Sequence, residues 1–131
     1  MPIIVILPFV VFYFSKPIAQ RGGEVPLSII PSLLIFSLLG NFLEELLFRG
    51  YVQSYLREQM IGRWRRILLS GLFFSAGHIF LASTVTDLGL IILLFTFWEG
   101  FICALVYEKY GIISATLTHG LSIFLLSSGF L

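Results

Sequence analysis

The chain is short of charge. Only 11% of its 131 residues are Asp, Glu, Lys or Arg, and 58% are hydrophobic, whereas soluble domains carry about a quarter of their residues as charges. With mean hydropathy at +1.02, too little polar surface exists to cover a soluble core, so lipid must cover part of it. Neither sign of charge dominates, because eight Lys and Arg stand against seven Asp and Glu. That balance excludes a basic surface for nucleic acid and an acidic solvated tail. Cysteine is nearly absent, and Cys103 by itself makes neither an internal disulfide nor a cysteine-based metal site. Asparagine occurs once, at Asn41, and histidine twice, at His78 and His119. Internal repeats and low-complexity segments are also missing.

What is present is a series of apolar runs of about the 20 residues that a membrane-crossing helix needs, separated by breaks that carry the charges. The expected fold is all-α, a polytopic membrane helix bundle of four to five transmembrane helices. Met1 to Phe14 is too short for a comfortable span and reads as the tail of a helix that starts earlier. Ser15 to Pro26 mixes Lys16, Pro17, Arg21, Gly22, Gly23 and Glu24 and reads as an outer loop, so residues 1–26 form one unit. Leu27 to about Leu56 reads as a long helix with Pro31 in its first turns. Arg57 to Arg66 holds four arginines against Glu58 and is the cytoplasmic loop by the positive-inside rule. Ile67 to Leu81 is the third span, Ala82 to Asp87 an outer turn, Leu88 to Tyr107 the fourth span, Glu108 to Gly111 an inner turn, and Ile112 to Leu131 the last span. Gly71 and Gly120 lie inside these runs, where small residues let helices approach closely.

An ionisable side chain in a membrane helix is costly, so each one should line a cavity or pair with another polar group. Glu44, Glu45, Arg49, His78 and His119 meet that description, with Glu99 as a sixth group. Counting about 1.5 Å of rise per residue from the cytoplasmic ends, Glu45, His78, His119 and Glu99 lie about 10–16 Å deep, in one layer. One intramembrane cavity is the expectation. Residues four apart share a helix face, so Glu45 faces Arg49 in the favourable order for an ion pair. Glu44 points elsewhere, without a local partner, and suits a base that takes a proton from water. Glu99 stands beside Trp98, which fits an interfacial position as well as a site, and stays outside the core set. Phe74 shares a face with His78 and serves packing or orientation.

The segment Glu44-Glu45-Leu46-Leu47-Phe48-Arg49-Gly50 carries an EExxxR pattern, and Phe74-Ser75-Ala76-Gly77-His78 carries FxxxH. In these motifs, followed by a helix leading to His119, the chain resembles the CAAX prenyl protease and bacteriocin-processing family of intramembrane endopeptidases, also called CPBP or Abi. The resemblance covers about Gly40 to Ile123, and it implies that residues 27–131 are a CPBP-type protease core. It further implies peptide-bond hydrolysis in the membrane, with Glu44 and His78 activating water, His119 polarising the scissile carbonyl, and Glu45 and Arg49 holding the site helix. Prenylated CAAX-type proteins or membrane-associated peptides such as bacteriocin precursors are the implied substrates, membrane lipid the implied surroundings, and a prokaryotic cell membrane the expected location.

The third family motif, HxxxN, is where the chain departs, because His119-Gly120-Leu121-Ser122-Ile123 ends on isoleucine. In the family picture the asparagine amide helps to stabilise an oxyanion, and losing one such donor costs about 10²–10³ in rate. Ser122 and Asn41 are the nearby residues able to offer a replacement donor. Two His and one Glu, namely Glu44, His78 and His119, match a zinc ligand count, but the helix-borne HExxH spacing is missing, so zinc or another divalent metal stays an open alternative. Two other functions stay open as well: an inactive relative acting as a membrane binding or bacteriocin-immunity protein, and a small proton-relay or transport protein.

Overall fold

The computed structural model describes residues 1–15, 25–85, 87 and 89–129. The expected outer loop therefore lies outside the described residues except at its two ends. Helix α1, Pro2–Phe14, is apolar throughout and includes Pro8. The next rod, α2, runs over Leu27–Glu58, and Pro31 sits in its first turn, where a missing N–H leaves no bond unmade. Its interior is not uniform. After the α-helical stretch Ile30–Glu45 comes a π-helical stretch, Leu46–Gln53, before α-geometry resumes at Ser54–Glu58. Wider π turns change helix phase and recur at functional sites; here the stretch begins directly after the Glu44-Glu45 pair.

Helix α3 spans Arg63–Val85, longer at both ends than expected. The basic loop shrinks to residues 59–62, because Met60 at φ 60° turns the chain and Gly62, with an extended ψ of 146°, starts the next helix at once. At the other end, the outer turn expected from Ala82 is corrected: Leu81–Val85 is π-helical. The alternation of Ser and Thr there carries no glycine or proline to stop a helix, and Ser83 caps the carbonyl of Ile79 at 2.8 Å.

The last two expected spans form one helical run, α4, over Leu90–Ser127, broken at Gly111. Glu99 and His119 would stand about 30 Å apart on a straight helix. Their side chains instead approach to 3.8 Å, so the run folds back on itself. Gly111, at φ 80° and ψ −174°, makes the reversal in a region of backbone space open almost to glycine alone. The expected inner turn at Glu108 to Gly111 thus narrows to one residue.

Helix α2 runs parallel to the first arm of α4: Arg49 donates to the carbonyl of Gly100 at 2.7 Å, and Gln53, four residues on, donates to that of Ala104 at 3.2 Å. The second arm lies against α2, with Ser37 Oγ donating to the Gly120 carbonyl at 2.9 Å. A Cβ on Gly120 would meet Leu38 Cδ2 at 2.8 Å, and one on Gly71 would meet the Phe101 backbone N at 3.2 Å, so both glycines permit close helix approach as expected. Helix α1 packs on α4 through Trp98 Nε1, which donates to the Ile4 carbonyl at 3.1 Å, and through the Phe9 and Phe95 rings, 4.6 Å apart. At the end of the bundle that holds the basic loop, Glu108 accepts from Arg66 at 2.8 and 2.9 Å and from Gln53 at 3.0 Å, with Arg57 at 3.3 Å. Among the described residues, three helices, α2, α3 and α4, are long and apolar enough to cross a membrane. The protein is an all-α membrane helix bundle.

Candidate active site

Two polar groupings share the middle of the bundle. The first is buried. Glu45 Oε1 sits 3.1 Å from Arg49 Nη1 and 2.9 Å from His119 Nδ1, and all three side chains are buried. The i, i+4 spacing brings Glu45 onto Arg49 as the sequence predicts; the fold-back at Gly111 brings His119 onto the same oxygen. Arg49 is held further by the Gly100 carbonyl at 2.7 Å and by the face of the Phe74 ring, 4.6 Å from Cζ. That ring replaces part of the hydration a buried guanidinium loses. Phe74 is wholly buried, and its ring also lies 4.6 Å from that of His78 and 5.3 Å from that of His119. It packs the two imidazoles in place, and Gly100 gives it room: a Cβ there would meet Phe74 Cδ1 at 2.9 Å.

The second grouping lines a cavity of about 220 Å³, whose walls include Asn41, Glu44, His78, Glu99, His119 and Ile123. Glu44 is 42% exposed where its neighbour Glu45 is 0%, and its Oε2 stands 3.9 Å from His78 Nε2. His78 is placed at the break that follows the α-helical part of α3. Its Nδ1 lies 2.8 Å from the Phe74 carbonyl. A carbonyl oxygen only accepts, so Nδ1 carries the hydrogen and Nε2 of the neutral ring faces Glu44 with a lone pair. Glu44 Oε2, buried and without a hydrogen-bond partner among the described residues, then faces an acceptor nitrogen across this gap. His119 reaches the same cavity with Nε2, since Nδ1 is taken by Glu45.

All five residues expected at a common site, Glu44, Glu45, Arg49, His78 and His119, are brought to this region by three helices. Glu99, outside the core set expected from the sequence, lines the same cavity. It is 2% exposed and has Oε1 3.8 Å from His119 Nε2 with no hydrogen bond of its own. Its depth pointed to this place, while the adjacent Trp98 suggested the interface; the Trp98 indole in fact points the other way, to α1. Ser122 is not a cavity residue, because its hydroxyl donates to the Thr118 carbonyl at 2.6 Å.

For a metal, the expected ligand set was Glu44, His78 and His119. Among the described residues, the grouping whose ligand-type atoms all lie within 4.8 Å of one another is a different one, Glu45, Cys103 and His119. Arg49 stands 3.1 Å from the same Glu45 carboxylate oxygen and would repel a second cation beside it, so that triple fits an ion-pair network and not a metal centre.

Fold and site together define a membrane helix bundle that gathers carboxylates and imidazoles around a partly open cavity. The family model for type II CAAX prenyl endopeptidases, Rce1-like, matches residues 26–125, and the chain belongs to that family of membrane proteases. No curated protein and no solved structure matches the chain.

Proposed function

We propose that the protein is a multi-pass intramembrane endopeptidase of a prokaryotic cell membrane that hydrolyses a peptide bond in prenylated CAAX-type proteins or membrane-associated peptides. The observation that carries this reading is the position of Glu44 and His78 on two helices, 3.9 Å apart across one edge of a cavity that His119 also lines. Water between them loses a proton to Glu44 as its oxygen attacks the carbonyl carbon, while His78 Nε2 accepts the second hydrogen and fixes the lone-pair direction. The carbonyl oxygen, gaining charge, turns to His119, whose Nε2 donates when that nitrogen carries a hydrogen. Glu45 and Glu99 flank the ring, at 2.9 and 3.8 Å from its two nitrogens. As the tetrahedral intermediate collapses and the C–N bond breaks, Glu44 returns its proton to the leaving nitrogen, which restores the carboxylate and releases an amine and a carboxylic acid.

Family membership supports this reading over the immunity and proton-relay alternatives. The test is cleavage of a farnesylated CAAX peptide and a panel of membrane peptides by detergent-solubilised protein, followed by mass spectrometry. Product must depend on Glu44 and His78; cleavage surviving both Glu44→Ala and His78→Ala rejects the site. A chelator arm with zinc added back decides whether a metal takes part.

A further inference from the structure

An attacked carbonyl oxygen needs donors at the place where its negative charge grows, and one imidazole is a sparse supply. The cavity itself offers few. Ile123 has none. Thr96 lines the cavity, but its hydroxyl hydrogen is committed to Ser75 Oγ or the Leu93 carbonyl, at 3.3 and 3.1 Å. His78 Nδ1 is spent on Phe74, and Glu44 serves as the base. Asn41 is different. It lies one turn before Glu44 on α2, is 7% exposed, and lines the same cavity. Its amide is oriented by a contact of 2.6 Å to the Ser37 carbonyl. Because that carbonyl only accepts, the contacting atom is Nδ2, and the planar NH₂ group keeps its second hydrogen free of any protein acceptor among the described residues. Ser37 in turn is anchored by its hydroxyl to the Gly120 carbonyl, next to His119. One short chain of hydrogen bonds therefore ties the Asn41 amide to the helix that presents His119.

We propose that Asn41 is a catalytic residue, donating its second amide hydrogen to the scissile carbonyl oxygen opposite His119 and so supplying from α2 the donor that Ile123 on α4 does not provide. This rests on the protease reading above. The carboxamide neither gains nor loses a proton in the reaction; it binds the oxyanion and releases it when the carbonyl reforms.

The test is a double-variant comparison on a farnesylated CAAX peptide, with binding of a non-hydrolysable phosphinate analogue of the same peptide as a second readout. Asn41→Leu keeps the volume and removes the donor. It is expected to lower kcat by about 10²–10³ with KM within about threefold, and to weaken phosphinate binding by at least about tenfold. Ile123→Asn, added to Asn41→Leu, is expected to recover at least about a tenth of the lost rate, and to raise the parent's rate by less than it raises the variant's. A misfolded variant would not be rescued by a second substitution, and thermal unfolding in detergent separates that outcome. If Asn41→Leu and Asn41→Ala both fold and cleave within about twofold of the parent, the assignment of Asn41 is overturned while the protease reading stands. If the parent neither cleaves the peptide nor binds the phosphinate, the protease reading falls and this assignment with it.

Discussion

The knot around Glu45 and the cavity around Glu44 start from two carboxylates one position apart in the chain, and they differ in exposure and in how closely each carboxylate meets its partners. Glu45 spends one oxygen on both Arg49 and His119 in a buried interior, whereas Glu44 is 42% exposed and meets His78 only across 3.9 Å. Neighbours on a helix point about 100° apart, and that rotation alone sends one carboxylate into packed protein and the other into a cavity. The buried half fixes three helices to one another. The open half lines a cavity with Glu44, His78, Glu99 and the second face of His119.

Substitutions on the two halves should separate chemistry from stability. The largest effect is expected from Glu44→Gln: cleavage falls by at least about 10³ while the unfolding midpoint stays within a few degrees, because no buried partner is lost. An equal fall in Glu44→Gln and Glu45→Gln at matched folded yield would erase the distinction. Arg49→Leu acts on the other half. It leaves Glu45 buried without its cation, at a cost of about 3–5 kcal/mol, read as loss of folded protein in a detergent-stability assay. Gly100→Ala pushes a methyl into the Phe74 ring that holds both imidazoles, and a loss of about 1–3 kcal/mol together with reduced activity is expected; an unchanged protein would show that the ring yields freely. Gly111→Ala strains the fold-back that delivers His119, by about 1–3 kcal/mol, read in the same unfolding assay. The smallest effect is expected at the far end of the bundle. Arg57→Ala removes one arm of the Glu108 clamp, but with that side chain half exposed its contribution stays below about 1 kcal/mol, and cleavage should not change.

The helices, the meeting of the polar residues at one level of the bundle and the Glu45–Arg49 pair were all legible in the sequence, because each follows from local periodicity or rise per residue. The boundaries of α3 were not, since the Arg-rich stretch looks like a loop to a charge count but is helical from Arg63, with Arg66 turned onto Glu108. Glu99 was ambiguous for a similar reason: its depth was readable, but the side of the helix that met His119 depended on how α4 folds back. The π-helical stretch after Glu45 left no sequence signal we could read.

What the sequence alone determined is the solvent: a chain this apolar, with its charges confined to breaks and to one buried layer, belongs in lipid, and each helix hydrogen-bonds its own backbone there without help from its neighbours. It also set which side chains share a helix face. Which faces meet was decided only by the tertiary structure. The reversal at Gly111 sets His119 against Glu45, and the parallel seating of α2 on α4 gives Arg49 the Gly100 carbonyl. Such contacts join residues far apart in the chain, and their energies depend on distances between helices that no local pattern records.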